Sequence, residues 1–285
     1  MTFSQTLRRA LLPVLRRANI GDVCISHHWT GDALRLHSFK HKGYWWYGKN
    51  RERTSMELFA ELVPRGCTVI EIGGHIGYVA QYLSALTGPE GRVYCFEPSP
   101  ENLVYLRENA AQSASGNICI IESAAGDREG TAEFFYESIT GQNSTVASDF
   151  TGLEVNSVFN GLPAEYQTCT VAVTRIDSFL GERGIRPGFI KIDAEGGELS
   201  ILRGMKETMS HGPRMMVEVN THHEEVFSIL TGAGYELFNA SRKRVTSSDP
   251  EVFTENVFAI HSTDKEGRGI MAQVLTAPAR YRIAG

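Results

Sequence analysis

The sequence predicts an α/β fold in which helices cover both faces of a mainly parallel sheet. Apolar runs rich in β-branched residues alternate with helical patterns along much of the 285 residues, as in doubly wound sheets. The first run ends in a glycine-rich turn at Gly73, Gly74 and Gly77. The second ends at Glu97, about twenty residues after the last glycine, which is the spacing of a βαβ unit that binds a ribose. We therefore expect a site for a nucleoside-containing cofactor where these two strands end.

Seven strands account for the alternation. They are placed at residues 68–72, 93–97, 118–123, 189–193, 215–220, 236–239 and 257–261. Between the third and the fourth strands lie about sixty residues, more than one crossover helix needs. Alternating patterns in this interval predict an added hairpin or lid, within an insertion at about 127–186. The chain then divides into a helical and aromatic cap (1–60), a sheet domain (61–265) and a C-terminal tail (266–285).

Composition and charge narrow the range of partners. The net charge of -5 gives the chain no electrostatic reason to bind nucleic acid along its phosphates. A basic amphipathic stretch at residues 7–17 is too short for a signal peptide or a membrane span. We expect a cytoplasmic protein in which this stretch forms a capping helix. Contact between its basic face and an anionic membrane surface is the alternative.

The glycine turn does not match the dinucleotide pattern G-x-G-x-x-G, because Ile72 stands where the first glycine belongs. Glu71 would also place a negative charge beside a pyrophosphate, which is unfavourable. Two acids suit a cationic ligand better, and S-adenosylmethionine carries a sulfonium and an ammonium but no phosphate. An NAD(P)-dependent oxidoreductase of sugars or nucleotide sugars and a non-catalytic binding protein remain as alternatives.

One block of the sequence resembles a known family. Residues 189–198 read FIKIDAEGGE, similar to the I-K-I-D-V-E-G-x-E signature of the FkbM family of S-adenosylmethionine-dependent methyltransferases. The sequences FEP at 96–98 and VEV at 217–219 support this resemblance. It implies a class I methyltransferase, Rossmann-like fold with a seven-stranded, mostly parallel sheet whose last strand is antiparallel. The family turn commonly reads D-x-G-A-N-x-G, whereas this chain has Glu71, Gly74 and His75 in place of the acid, the alanine and the asparagine.

The resemblance also implies a set of cofactor-binding residues for S-adenosylmethionine. From the methionine end to the adenine, they are Glu71, Gly73, Gly74, Gly77, Tyr78, Glu97, Ser123, Ala124 and Ala125. Glu97 is expected to hold the ribose through both carboxylate oxygens. The glycines could equally form a plain strand-to-helix turn, and Tyr78 could simply pack against the sheet.

Candidates for catalysis follow the fourth and fifth strands, at the edge where open α/β sheets build their sites. Asp193 and His222 could each remove a proton from a hydroxyl, although His222 could equally belong to a polar loop. The spacing of Asp193, Glu195 and His222 is not diagnostic of a metal site, and no metal is predicted. Lys191 could extend from the sheet toward solvent or pair with an acid.

The acceptor is expected to be a sugar, a glycan or a small metabolite, a class that rests on the family resemblance. We expect methyl transfer to oxygen, with nitrogen as the alternative. Asn143, Ser144 and Glu195 are the candidate acceptor contacts, and the aromatic run at residues 44–47 would complete the acceptor wall.

Overall fold

The computed structural model describes residues 20–137, 143–144, 166–249, 253 and 255–273. In chain order its strands are β1 (Asp22–Ser26), β2 (Ala33–His37), β3 (Thr68–Ile72), β4 (Arg92–Phe96), β5 (Ile118–Ile121), β6 (Ala124–Gly126), β7 (Gly130–Glu137), β8 (Asn143–Ser144), β9 (Tyr166–Arg175), β10 (Phe189–Ile192), β11 (Arg214–Val219), β12 (Tyr235–Asn239), β13 (Arg244–Val245) and β14 (Glu255–His261). The α-helices are α1 (Lys42–Tyr47), α2 (Arg53–Leu62), α3 (Tyr78–Thr87), α4 (Pro100–Gln112), α5 (Ile176–Arg183), α6 (Glu198–Arg203), α7 (Lys206–Ser210), α8 (His223–Gly232) and α9 (Lys265–Met271).

The central sheet has the strand order β13-β12-β14-β11-β10-β3-β4-β5. Strands β5, β4, β3, β10 and β11 run parallel, whereas β14 is antiparallel to both of its neighbours. The seven predicted strands and the antiparallel orientation of the last one are therefore confirmed, as is the class I, Rossmann-like fold. The sequence did not predict β13, because two residues are too few to show an alternating pattern.

The neighbouring interior strands β3 and β10 each carry a charged residue into the core at the same level of the sheet. Every side chain of β10 is buried, and the register of the sheet places Lys191 of β10 opposite Glu71 of β3. Their neighbours Ile70, Ile190 and Ile192 are fully or almost fully buried. Because buried charges are stable only when they are paired, this arrangement marks the ends of β3 and β10 as a specialised part of the sheet.

The insertion after β5 forms a second sheet in the order β6-β9-β7-β8. Its antiparallel pair β7 and β9 confirms the predicted hairpin, whereas residues 145–165 lie outside the described part of the chain. Strand β5 ends at Ile121, two residues before the predicted end. The reason is that Ser123 turns the chain into β6, where its Oγ donates to the carbonyl of Ala172 in β9 at 3.0 Å.

A hairpin of β1 and β2 precedes α1 and α2, so the predicted helical cap is incomplete. The sequence analysis missed these strands, in which buried residues alternate with more exposed ones in β2 and no residue is fully buried in β1. Leu34, Leu36 and Phe59 from the cap share one hydrophobic cluster with Val69 and Phe189 from the sheet. The cap and the sheet are therefore packed together, while the basic stretch at residues 7–17 lies outside the described residues.

Helix α9 (Lys265–Met271) lies at the start of the predicted C-terminal tail. Asp264 precedes α9 and accepts a hydrogen bond from Gly267 N at 2.9 Å, while Met271 is buried. Arg214 of β11 fixes the start of this helix through an ion pair with Asp264 at 2.7 Å. Across the described ranges, no helix has the length and apolar character that crossing a bilayer requires.

Candidate active site

The glycine turn after β3 is shaped by close backbone contacts. At Gly73, φ is 86°, and an added Cβ would fall 1.7 Å from the carbonyl oxygen of Asp193. At Gly74, a Cβ would fall 2.2 Å from the Sγ of Cys95. The N–H groups of both glycines donate to the carbonyl of Phe96 at 3.0 Å. These two positions therefore require glycine, and the turn they form lies directly against the end of β10.

A pocket opens beside this turn at the carboxyl ends of β3, β4 and β10, and contains about 1020 Å³ of space, part of it open to solvent. Predicted site residues that line it are Glu71, Gly73, Gly74, Glu97, Ser123, Ala124, Ala125, Asp193 and Glu195. Lining residues that the sequence did not assign to binding include Arg51, Glu52, Asn102 and Phe134. The pocket thus joins the residues predicted for the methionine end of the cofactor to those predicted for the adenine end, and residues of the cap also line it.

Glu97 is held in one orientation by donors from three residues. Its Oε2 accepts from the backbone N–H of His75 at 2.7 Å, and its Oε1 accepts from Ser99 N at 2.8 Å and from the side-chain amide of Asn102 at 3.3 Å. Burial raises the pKa of Glu97 to about 7, although these donors oppose the rise. Carboxylate oxygens have further lone pairs, so Glu97 can still accept from a ribose.

Glu71, Lys191 and Asp193 form a buried charge cluster below the turn. Lys191 Nζ lies 3.0 Å from Asp193 Oδ2 and 3.9 Å from Glu71 Oε1. Burial raises the pKa of Glu71 to about 7, with the positive charge of Lys191 acting in the opposite direction. Burial also opposes the charge on Lys191, but Asp193 and Glu71 together raise its pKa above the ordinary value. Lys191 therefore stays charged between two acids.

Asp193 has a second carboxyl group beside it, which the sequence analysis did not assign to the site. Ile192 pairs with Val217 in the sheet, so the next residues, Asp193 and Glu218, stand at adjacent strand ends. The charge of Asp193, together with burial and a mutual hydrogen bond, raises the pKa of Glu218 to about 11. Burial would raise the pKa of Asp193 as well, but Lys191 and the hydrogen bond from Glu218 lower it overall. Asp193 is the ionised member of the pair.

His75 occupies the asparagine position of the family turn with a left-handed backbone, at φ 49°. Asparagine and histidine both tolerate this conformation better than most residues, which accounts for the exchange. The side chain of His75 shares a hydrogen bond of 2.9 Å with Tyr44 Oη in α1 of the cap. Burial lowers the pKa of His75 to about 4, so its ring is neutral at neutral pH.

Three predicted site residues lie away from the pocket lining. Gly77 has φ 88°, and an added Cβ would meet Leu106 at 2.9 Å, so this glycine allows α3 to pack against α4. Tyr78 is buried, and its ring stacks on His27 at 4.1 Å between centroids. His222 lines a neighbouring cavity with Thr131, Ser200 and Arg203 rather than the pocket of Asp193.

Two acids of the FIKIDAEGGE block, Glu195 and Glu198, follow β10 and have different surroundings. Glu198 Oε1 accepts from the backbone N–H groups of Ala194 and Gly196, each at 3.1 Å, and so it fixes the loop before α6. Glu195 in this loop lines the pocket with a left-handed backbone, at φ 47°. In the described part of the chain, no group of three or more histidine, cysteine or acidic side chains is arranged to hold a metal ion.

Asn143 and Ser144 form β8, which pairs with β7 through Phe135 and Tyr136. Phe134 in the same strand β7 lines the pocket. The role of Asn143 and Ser144 in acceptor binding stays a prediction.

Comparison with known proteins gives the family. The sequence profile of the Methyltransferase FkbM domain matches residues 71–237, which is more than half of the 285 residues. The chain belongs to the FkbM methyltransferase family. Two curated relatives of this FkbM chain are Methyltransferase 1 of Beauveria bassiana, 26% identical over 151 residues, and 2-O-methyltransferase NoeI of Sinorhizobium fredii, 28% identical over 149 residues. Each match covers 50% of this chain and 60% or 58% of the relative, less than two thirds of its length.

Solved structures with a similar arrangement include Aeropyrum pernix fibrillarin with bound S-adenosylmethionine. The FkbM chain is 14% identical to it, with a TM-score of 0.41 over 73% of this chain and 74% of that one. A SAM-dependent O-methyltransferase from Thermotoga maritima is 13% identical, with a TM-score of 0.41 over 74% and 64% of the two chains. Scores this low support no conclusion about ligands or residues.

S-adenosylmethionine is the cofactor of this FkbM domain, and the pocket residues fit it. Both carboxylate oxygens of Glu71 are buried without a nitrogen or oxygen partner within hydrogen-bonding distance, as expected of a site that receives a cation. Gly73 and Gly74 line the pocket, so their backbone is accessible to a ligand there. Glu71 would hold the ammonium end and Glu97 the ribose, while Ser123, Ala124 and Ala125 would flank the adenine.

Proposed function

We propose that this protein transfers the methyl group of S-adenosylmethionine to a hydroxyl oxygen of a sugar, a glycan or a small metabolite. The observation that carries the proposal is the position of the Asp193 side chain, which lines the pocket beside the glycine turn, is 26% exposed and lies 3.0 Å from Lys191 Nζ. Lys191 and Glu218 hold it in the charged form. An ionised acid at this place can receive a proton from an incoming hydroxyl.

The cofactor supplies an electrophilic methyl group, and the chain supplies position and a proton acceptor. Asp193 orients the acceptor hydroxyl by accepting its hydrogen bond. As the hydroxyl oxygen forms its bond to the methyl carbon, the bond from that carbon to the sulfonium sulfur would break and leave a neutral thioether. The hydroxyl proton becomes strongly acidic in this step, so the carboxylate of Asp193 suffices to take it despite its low pKa. Lys191 Nζ lies 3.0 Å from Asp193 Oδ2 and holds the Asp193 carboxylate in place before and after it takes the proton.

The acceptor wall is proposed to combine the cap with the inserted sheet. Tyr44 and Glu52 line the pocket from the cap, Phe134 lines it from β7, and Glu195 lines it from the loop after β10. An aromatic ring and carboxylates suit a sugar, which presents an apolar face and hydroxyl donors. Of the aromatic run at 44–47, only Tyr44 reaches the pocket lining, and Trp46 is 51% exposed.

One relative bears on the receiving atom, and the basic N-terminal stretch bears on the location of the protein in the cell. A relative named as a 2-O-methyltransferase supports oxygen as the receiving atom, at 28% identity over half of this chain. Contact of residues 7–17 with an anionic membrane surface, in a cytoplasmic protein, remains part of the proposal for the whole chain.

Transfer of labelled methyl groups tests the proposal. The protein is incubated with S-adenosylmethionine carrying a ¹³C methyl group and with panels of sugars, oligosaccharides, small alcohols and amines. The carbon chemical shift of each product then distinguishes a methyl group on oxygen from one on nitrogen. We expect O-methyl products that form much more slowly with Asp193→Asn, which keeps the shape of the side chain and removes its charge.

The corresponding control is Asp127→Asn, an exposed acid that lines only the neighbouring cavity. This variant is expected to methylate at the wild-type rate. Products labelled exclusively on nitrogen, or equal rates for the wild type and Asp193→Asn, would refute the proposal.

A further inference from the structure

The methionine end of the cofactor carries a carboxylate as well as an ammonium, and the pocket offers few partners for it. The pocket lining is rich in acids, among them Glu71, Glu97, Asp193 and Glu195, each of which would repel a carboxylate. The cationic side chains of its lining, within the part of the chain that the structure describes, are Lys191 and Arg51. One of these two must supply the positive charge if the protein itself neutralises the carboxylate.

Lys191 is already committed to other groups. Its ammonium lies between Asp193 at 3.0 Å and Glu71 at 3.9 Å, and it donates to the carbonyl of Gly73 at 3.4 Å. Two of its three ammonium protons are used in the hydrogen bonds to Asp193 and Gly73, and its charge is shared between Asp193 and Glu71. The side chain is also fully buried beneath the turn.

We propose that Arg51 of the cap binds the carboxylate of the methionine moiety of S-adenosylmethionine. A guanidinium presents parallel donors that match a carboxylate in a bidentate pair. Arg51 lines the pocket, and its ion pair with Glu52 uses Nε, at 3.3 Å, so that ion pair engages neither terminal nitrogen. The inference concerns the cofactor alone and holds whichever acceptor the enzyme uses.

The cap is built to hold Arg51 in this place. Its guanidinium lies over the ring of Tyr44 at 4.5 Å, and Gly43 leaves the space that the guanidinium fills, since a Cβ there would fall 2.8 Å from Nη1. Glu52 follows with a left-handed backbone at φ 50°, which turns the chain into α2. A stacked, spatially restricted arginine loses little conformational freedom when it binds an anion.

Arg51 lies at the methionine end of the pocket rather than at the adenine end. The positive charge of Arg51 acts on His75, in the glycine turn, and on Asp193, at the end of β10. The adenine end is bordered instead by Ser123 and Ala124, which are held by the second sheet. A carboxylate bound to Arg51 would therefore lie above the glycine turn, where the amino-acid tail is expected.

Calorimetric titration of two matched ligands tests this proposal. S-adenosylmethionine and its decarboxylated form share the adenosine, the sulfonium and the amine, and differ in the carboxylate. We expect Arg51→Gln to weaken binding of S-adenosylmethionine at least tenfold, about 1.4 kcal/mol, and to change binding of the decarboxylated form less than twofold. Arg51→Lys keeps the positive charge but loses the two parallel donors of the guanidinium. Its affinity for S-adenosylmethionine should therefore lie between those of Arg51→Gln and the wild type.

Arg53→Gln is the control, because Arg53 is exposed, pairs with Glu57 at 2.8 Å and does not line the pocket. It should leave both affinities unchanged. The proposal is overturned if Arg51→Gln weakens both ligands equally, or neither. It is also overturned if the wild type binds the two ligands equally well, a result that does not depend on how any variant folds.

If no substrate that accepts the methyl group were found, the proposed function would fail but this result would stand, because the titration measures only cofactor binding. Conversely, a failure of the wild type to bind S-adenosylmethionine at all would remove the cofactor assignment together with the inference.

Discussion

Lys191 Nζ lies 3.0 Å from Oδ2 of Asp193. Lys191 belongs to β10, whose side chains are all buried, and Asp193 is the first residue after this strand. Residues two apart in a strand project from the same face of the sheet, so the strand itself brings these two side chains together. The pair fixes an ionised carboxylate directly below the glycine turn. It also connects β10 to β3, because Lys191 donates to the carbonyl of Gly73 at 3.4 Å.

Replacing Lys191 with methionine is expected to lower the free energy of unfolding by about 3–5 kcal/mol, the usual effect of removing one partner from a buried ion pair. Asp193 and Glu71 would then be left without their common cation. The double variant Lys191→Met, Asp193→Asn should be more stable than Lys191→Met alone. Urea denaturation of the three proteins measures these differences, and a loss below about 1 kcal/mol for Lys191→Met would show that the pair contributes little.

Glu218 is expected to act as a protonated donor to Asp193. Glu218→Gln preserves a donor and should change the free energy of unfolding by about 1 kcal/mol or less, whereas Glu218→Leu removes the donor and should cost about 1–3 kcal/mol. Denaturation at neutral pH measures both values. If the two variants are equally destabilised, Glu218 does not serve as a hydrogen-bond donor in the folded protein.

Gly73→Ala is expected to abolish cofactor binding, because its Cβ would fall 1.7 Å from the carbonyl oxygen of Asp193. The matched control is Gly116→Ala, where φ is also positive, at 60°, but no atom lies within 4 Å of the added carbon. That control should lose only the backbone preference, about 1–2 kcal/mol, and bind the cofactor normally. Thermal melting with and without S-adenosylmethionine measures both effects; normal binding by a folded Gly73→Ala protein would refute the role of the turn.

Burial raises the pKa of Glu71 from 4.5 to about 7, which predicts a pH-dependent difference between the wild type and Glu71→Gln. Between these two values the folded state holds a proton that the unfolded state has released. The stability contributed by protonated Glu71 is therefore fully present below pH 4.5 and is lost as the pH rises through 7.

Relative to Glu71→Gln, the wild type should lose about 3 kcal/mol of stability between pH 4.5 and pH 8. Using the variant as reference cancels the other titrating groups. Urea denaturation of both proteins across this range gives the difference, and a difference that is constant with pH would mean that Glu71 is ionised throughout.

Much of the sheet could be predicted from the sequence because its central strands are short apolar runs separated by turn and helix signals. Strand ends moved by one or two residues, and β5 ended early because Ser123 bonds to a strand fifty residues later, a contact that no local pattern reveals. The hairpin of the cap was also missed, since neither of its strands is a continuous apolar run such as that of β5.

The site was predicted where the backbone determines it and missed where distant contacts do. Glu71, Glu97 and Asp193 follow from their places at strand ends. Tyr78 was assigned to the cofactor and His222 to the carboxyl edge of the fifth strand, whereas the structure stacks Tyr78 on His27 and places His222 in the lining of a neighbouring cavity. Arg51 carries no sequence signal, whereas Glu218, an acid inside an apolar strand, could have been noticed.

Isothermal titration of the purified chain with S-adenosylmethionine, and separately with NAD, tests the central claim most directly. We expect saturable binding of S-adenosylmethionine at one site per chain, weakened at least tenfold by Glu97→Gln, and no binding of NAD. Binding of NAD without binding of S-adenosylmethionine would contradict the account.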